Sequence, residues 1–388
     1  MRHQYAVIAA RHDTVDRRTS IFLRGIRGAS RYSLRLGCRG RLECGCHLTG
    51  AVPKIVQRGA QLAMQRQTRD CALLLCYGLF FWATRAYGHP SPALEQAVRV
   101  ARPHIKTPAE VCAAGGDVAG DIVTLQTTLA GVPAVLRVPK VITKPPIVLW
   151  HGFGAPASET ALMKALPLDE VAAVKVYLGL PLFGLRAPSG SGATLAQRQA
   201  ADYASLIFEP AVMGAAKELP SVLAALRNRR CLMANQKIGL FGFSAGGAAV
   251  LFALAERNVP VQAAVTLNAP TGLNEAIEAV ERATKRPYAW TPATRELAQR
   301  SDSIARAGEI AAGEPPPALL IFHGAADEVV PPQPTLSLRD ALQPFYGKSG
   351  NADRLRVVIA PDVSHDWTEP KALQQVRVAV ANWFNQQL

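Results

Sequence analysis

Gly242-Phe243-Ser244-Ala245-Gly246 places a serine between two glycines, where the apolar run Lys237–Phe241 gives way to the alanine-rich stretch Ala248–Ala255. The pattern predicts a strand, a sharp turn and a helix, with Ser244 at the apex. Bulky side chains at positions 242 and 246 would collide with the strand or the helix, so glycine is the residue that fits. Such a turn points the serine hydroxyl out of the end of a sheet, at the start of a helix. A serine hydroxyl is a poor nucleophile until a base takes its proton. His365, in Ser364-His365-Asp366-Trp367, offers an imidazole that can take the proton and later pass it to a leaving group. Asp327, in the stretch His323–Pro331, offers a carboxylate that can hold the second ring nitrogen, set the tautomer and stabilise the imidazolium. Glu328, Asp362 and Asp366 compete for that last role, and the position of Asp327 just past an apolar run favours it. His151 and His323 each open a His-Gly turn and read as structural. His3, His12, His47, His89 and His104 all precede the first strand of the main body.

These three groups are useful only if the chain carries them to one place. Residues 121–129 and 134–139 read as a hairpin turning at Gly131-Val132-Pro133. Short, largely apolar runs follow at 147–150, 174–180, 237–241, 261–268, 318–322 and 355–359, the mark of strands covered on both faces. Helical stretches lie between them, including 195–228, with interruptions near Pro210 and Pro220, and a closing helix over 370–384. Strands alternating with helices predict an α/β protein whose mostly parallel central sheet has helices on both faces. Ser244, Asp327 and His365 then all follow the C-terminal ends of strands, the edge where open α/β sheets build their sites. His151-Gly152-Phe153-Gly154 ends another strand at that edge, and a glycine-rich turn there can aim backbone N–H groups at an anion. Residues 271–314, helix-forming with Pro287 and Pro292 as interruptions, break the rhythm and predict a small cap insertion; the plainer alternative is one surface helix and a loop.

The order Ser, Asp, His and the motifs G-F-S-A-G at 242–246, H-G-F-G at 151–154, H-G-A-A-D-E-V-V-P at 323–331 and S-H-D-W at 364–367 resemble the α/β-hydrolase superfamily over residues 121–388. The second His-Gly turn with its downstream Asp and Val-Pro, and Pro-Leu-Phe-Gly at 181–184, resemble the branch of dienelactone hydrolases and prolyl oligopeptidases. The resemblance implies the α/β-hydrolase fold and a catalytic set of Ser244, Asp327 and His365. Its oxyanion hole would use the backbone N–H groups of Phe153 and Ala245. It implies an esterase working through an acyl-enzyme on a small-molecule ester, with a serine peptidase as the alternative. A non-catalytic binding protein on the same fold is the other reading. A dienelactone hydrolase in the strict sense carries a cysteine where this chain has Ser244. No β-propeller is expected ahead of the domain. No cofactor and no metal are expected, since neither G-x-x-x-x-G-K-[ST] nor H-E-x-x-H occurs, and Cys44-Gly45-Cys46 with His47 lacks a second pair.

The formal charge of +14 suggests a nucleic-acid partner until it is located. Residues 1–63 hold 12 Lys/Arg against 3 Asp/Glu, whereas residues 89–388 net only +3, so the body has no basic stripe and no nucleic acid is expected. Residues 1–63 show no sustained period and read as a disordered leader or an over-extended gene start. From Met64 a short basic head, the apolar run Cys71–Ala83 and small residues at Ala86 and Gly88 follow the order of a signal peptide spanning 64–88. The alternative is a buried helix. Thirteen apolar residues are too few to span a bilayer, so no stable membrane insertion is expected after cleavage. The mature domain would run over 89–388, in the periplasm or outside the cell. In an oxidising compartment Cys112 and Cys231 could pair; sequence leaves that open, along with the oligomeric state.

Overall fold

The structure, a computed structural model, describes residues 9–12, 18–24, 31–39, 43–49 and 108–388 apart from 349. The chain divides into two units, Met1–Pro103 and His104–Leu388. In the first, β1 (Ala9–His12), β2 (Arg18–Arg24), β3 (Arg31–Arg39) and β4 (Glu43–Thr49) pair antiparallel in sequential order. These four strands lie within residues 1–63, where the sequence shows no sustained period. Along β3 the residues Tyr32, Leu34, Leu36 and Cys38 alternate with Arg31, Ser33, Arg35, Gly37 and Arg39, which is the two-residue period of a strand. The signal peptide expected over 64–88 lies outside the described residues.

The second unit is built on nine strands: β5 (Asp117–Ala119), β6 (Ile122–Leu129), β7 (Val132–Pro139), β8 (Ile147–Trp150), β9 (Lys175–Leu178), β10 (Ile238–Phe243), β11 (Val261–Leu267), β12 (Ala318–Gly324) and β13 (Leu355–Ala360). Their order across the sheet is β13-β12-β11-β10-β8-β9-β7-β6-β5. The strands from β8 to β13 run parallel, and β7, β6 and β5 extend the sheet antiparallel beyond β9. The hairpin turns one residue earlier than the sequence suggests, at Ala130 (φ 51°) and Gly131 (φ 86°). Two successive positive φ angles make the tight turn whose twist matches antiparallel strands.

The apolar runs fill both faces of the sheet. Val148 and Trp150 of β8, Leu240 of β10, and Leu319 and Ile321 of β12 enter one core. Their neighbours Ile147, Leu149, Phe241, Phe243, Leu320 and Phe322 enter the other. Helices cover each side: α1 (Pro108–Cys112), α2 (Glu159–Ala165), α3 (Ser191–Tyr203), α4 (Gly214–Asn228), α5 (Ala245–Glu256), α6 (Leu273–Thr284), α7 (Pro292–Ser301), α8 (Ala307–Ile310), α9 (Gln333–Lys348) and α10 (Pro370–Gln387). Among the described residues no helix is long and apolar enough to cross a membrane.

The interruptions expected at Pro210 and Pro220 fall elsewhere. The break is at Asp202, whose backbone is extended (φ −164°, ψ 97°) and whose side chain accepts the N–H of Ser205. Asp202 thus caps the helical run that follows. Pro210 is carried in a π-helical segment, Ala204–Met213. Pro220 sits within α4, where its missing N–H leaves the carbonyl of Ala216 without the usual donor. The side-chain amide of Asn258 donates to that carbonyl instead (3.3 Å).

Between β11 and β12 lie α6, α7 and α8, over the stretch 271–314 whose sequence predicts a cap insertion. Pro292 starts α7 rather than interrupting a helix, at the first-turn position proline tolerates, behind a capping box made by Thr291 and Thr294. Arg282 of α6 donates to the carbonyl of Val329 (2.9 Å), and Tyr288 donates to Asp202 (2.5 Å). The insertion is therefore bonded both to the loop that carries Asp327 and to the break before the π-helical segment. Cys112, which ends α1, and Cys231, just past α4, are joined by a disulfide, with Cα atoms 4.9 Å apart. It closes a loop with a sequence separation of 119, a closure that stabilises by up to about 5 kcal/mol in the chain-entropy account.

Candidate active site

Ser244 joins β10 to α5 with φ 51° and ψ −119°. Holding a residue with a β-carbon in that conformation costs about 1–3 kcal/mol, which the packing of the turn must offset. The flanking glycines show how tight it is. A β-carbon on Gly242 would stand 2.0 Å from the carbonyl oxygen of Gly246, and one on Gly246 would stand 2.5 Å from the carbonyl oxygen of His151. The backbone N–H of Ser244 donates to the carbonyl of Leu267 at the end of β11 (2.8 Å). The serine is half-buried at the C-terminal edge of the sheet.

His365 and Asp327 reach the same point from two other loops. Nε2 of His365 lies 3.1 Å from Oγ of Ser244, and its Nδ1 lies 2.8 Å from Oδ2 of Asp327. An ionised carboxylate only accepts, so Nδ1 carries the proton and Nε2 is left to accept from the serine hydroxyl. Phe243 packs beside the imidazole, with ring centroids 5.3 Å apart. The other oxygen of Asp327 accepts the N–H groups of Val329 (2.9 Å) and Val330 (2.8 Å). Burial opposes ionisation of this carboxyl. Hydrogen bonds from His323 and His365, the charge of His365 and the Val330 N–H outweigh it and bring its pKa down to about 2.

Two of the three rival acids are occupied elsewhere. Glu328 is exposed, Asp362 pairs with Lys371 (2.6 Å), and Asp366 accepts from the backbone and hydroxyl of Thr368.

His151 and His323 sit in their His-Gly turns as buried connectors. Nε2 of His151 accepts the N–H of Leu180 (3.1 Å), so its proton is on Nδ1, which donates to the carbonyl of Gly152 (2.7 Å). Burial lowers its pKa to about 4, which keeps it neutral at neutral pH. His323 donates from Nε2 to the carbonyl of Val330 (2.8 Å) and accepts at Nδ1 from Thr335 (2.8 Å), with Oδ2 of Asp327 3.5 Å from Nε2. Nothing in the sequence singles out Thr335, and Asn268 is marked only as a polar residue ending the strand run 261–268.

The turn holding Phe153 packs directly on the serine turn. A β-carbon on Gly152 would stand 3.0 Å from that of Ser244. Ala245 opens α5, where the first N–H groups of a helix lack an intrahelical acceptor. The ring of Phe153 stacks on Phe183 of the loop after β9, with centroids 4.2 Å apart and planes 12° from parallel.

Comparison with known proteins agrees with this architecture. The prolyl oligopeptidase family matches residues 215–388, the part that contains Ser244, Asp327 and His365. Among solved structures, the protein TT1662 from Thermus thermophilus shares 20% identity over 68% of this chain and 98% of its own, with a TM-score of 0.50. A dienelactone hydrolase from Anabaena variabilis shares 19% identity over 69% of this chain and 99% of its own, with a TM-score of 0.45. An acylaminoacyl peptidase from Pyrococcus horikoshii shares 17% identity over 66% of this chain and 39% of its own, with a TM-score of 0.48. No curated protein matches the sequence significantly. The chain has the α/β-hydrolase fold. Its C-terminal part resembles the prolyl oligopeptidase branch, and together fold and family match support a serine hydrolase.

Proposed function

We propose that this chain is a serine esterase that cleaves a carboxylic ester through an acyl-enzyme intermediate. The observation that carries the reading is the continuous hydrogen-bonded series from Asp327 through His365 to Ser244. In the first step Oγ of Ser244 attacks the ester carbonyl carbon while Nε2 of His365 takes its proton. Asp327, ionised and held by two backbone N–H groups, stabilises the imidazolium without taking a proton itself. The N–H groups of Ala245 and Phe153 bind the oxyanion, each such donor being worth about 3 kcal/mol in the transition state. Collapse of the tetrahedral intermediate breaks the C–O bond, and His365 returns its proton to the departing alkoxide. Water then repeats the sequence on the acyl-serine, releasing the acid and restoring the Ser244 hydroxyl.

The match to the prolyl oligopeptidase family favours a second reading, a peptidase using the same residues. The two differ in the leaving group that His365 must protonate, an alkoxide or an amine. Kinetics on p-nitrophenyl esters of graded chain length, run beside aminoacyl and peptidyl p-nitroanilides, separate them. Short-chain esters are expected to give the higher kcat/KM. Anilide turnover above ester turnover would move the protein to the peptidase reading, and no turnover on either series would remove the esterase. In this reading the segment 181–192 and the insertion at 271–314 shape the pocket and set that preference.

Export belongs to the same reading. The charge-apolar-small order over 64–88 and the Cys112–Cys231 disulfide both fit an oxidising compartment outside the cytosol. Edman sequencing of the secreted species is expected to begin near His89. A mature protein retaining residues 1–63 would refute it.

A further inference from the structure

One buried side chain at the sheet edge is bonded to two of the loops that form the site. Asn268 follows β11, is fully buried and has φ 49°. Its side-chain Oδ1 accepts the N–H of Gly324 (2.8 Å), the last residue of β12 and the start of the loop that carries Asp327. Its Nδ2 donates to the carbonyl of Ser364 (2.7 Å) and lies 3.4 Å from the carbonyl of His365 itself. The orientation of the amide is dictated by its partners, because a backbone N–H can only donate and a carbonyl can only accept. The main chain at this point completes the junction. The N–H of Asn268 donates to Phe322 (3.0 Å), and the carbonyl of the preceding Leu267 accepts the N–H of Ser244 (2.8 Å).

We propose that Asn268 is a positioning residue, whose amide holds the acid loop and the histidine loop in the relation that keeps His365 between Asp327 and Ser244. The proposal rests on the catalytic reading of those three residues. Backbone bonds already tie the acid loop to the other segment at Ala360 and Val363, through the N–H groups of Ala325 and Ala326. Asn268 reaches the next two residues, one of them the histidine. Few side chains fit the position: it needs a donor and an acceptor on a short stem, on a residue that tolerates the left-handed backbone, which asparagine does. An apolar residue would leave the Gly324 N–H and the Ser364 carbonyl buried and unpaired.

The test uses two variants. Asn268→Gly removes the amide while accepting the positive φ without strain. Asn268→Asp keeps an acceptor for Gly324 and loses the donor to Ser364 and His365. Both are expected to lower kcat about 10- to 100-fold, the penalty for a reacting group displaced by about 1 Å. KM should change by less than about twofold, since ground-state binding is untouched. The low-field proton NMR signal of His365 Nδ1–H, which reports its bond to Asp327, should shift or broaden in both. A purely structural role would lower the melting temperature and leave kcat and that signal as in the wild type, and would overturn the proposal. So would failure of both variants to fold, which would assign Asn268 to the fold alone. Ser244→Ala, measured alongside, separates the two levels. If Ser244→Ala stays active, the catalytic reading fails whatever Asn268 does. If it is inactive while the Asn268 variants match the wild type, only the positioning role fails.

Discussion

Ser244→Ala is expected to lower kcat by about a million-fold, the scale seen when a serine hydrolase loses its nucleophile. It should also abolish covalent labelling by a fluorophosphonate. The substitution is close to a clean deletion of one oxygen. Alanine has the same β-carbon as serine, so the strain of φ 51° and the contacts at Gly242 and Gly246 are unchanged. The hydroxyl oxygen is paired with His365, which is itself held from the other side by Asp327. The variant should therefore fold and melt near the wild type, so that a lost rate is a chemical loss. Turnover within tenfold of wild type, or a label retained at another residue, would remove Ser244 from the reaction.

Asp327→Asn should cost about ten-thousand-fold in turnover with the fold intact. The reason lies in the constraints on its two oxygens. One accepts the N–H groups of Val329 and Val330, so an asparagine must keep its carbonyl oxygen there and turn its NH2 toward His365. An NH2 can only donate, so Nδ1 of His365 would have to accept, and the ring proton would move to Nε2, facing Ser244. That tautomer cannot take the serine proton.

The same substitution has a signature in acid. The folded-state pKa of Asp327 is depressed from 3.8 to about 2. Its contribution to stability is thus fully present above the unfolded value near 4 and is lost as the pH falls through about 2. Denaturant titrations across that window should show the wild type losing more stability than Asp327→Asn. Equal acid sensitivity together with near-normal turnover would transfer the role to another carboxylate.

Much of this site could be read along the chain. Gly242 is demanded by a contact four residues on and Gly246 by the chain at Trp150 and His151, and both glycines sit in the sequence beside the apolar run and alanine-rich stretch that make strand and helix. The two-sided strands are legible as short, largely apolar runs, and their order places the site edge. The structure departs from these expectations where one element answers to another. The sequence puts the helix break at prolines; it lies at Asp202, whose side chain caps the run that follows, while Asn258 satisfies the carbonyl that Pro220 leaves open. Pro292 read as an interruption and is a helix start, because a capping box precedes it.

What the sequence by itself determined about this protein is the local part: a strained serine turn, a largely parallel two-sided sheet, and four carboxylates and one histidine near its end. Those features depend on periodicity and steric fit within about ten residues, which composition and spacing carry directly. Only the tertiary structure decided which carboxylate meets His365, that Asn268 joins two of the loops, and that Cys112 and Cys231 are close enough to bond. His365 is 38 residues from Asp327 and 121 from Ser244. Groups so far apart meet at about 3 Å only through the parallel register of β10, β11, β12 and β13, and that register is a property of the assembled sheet.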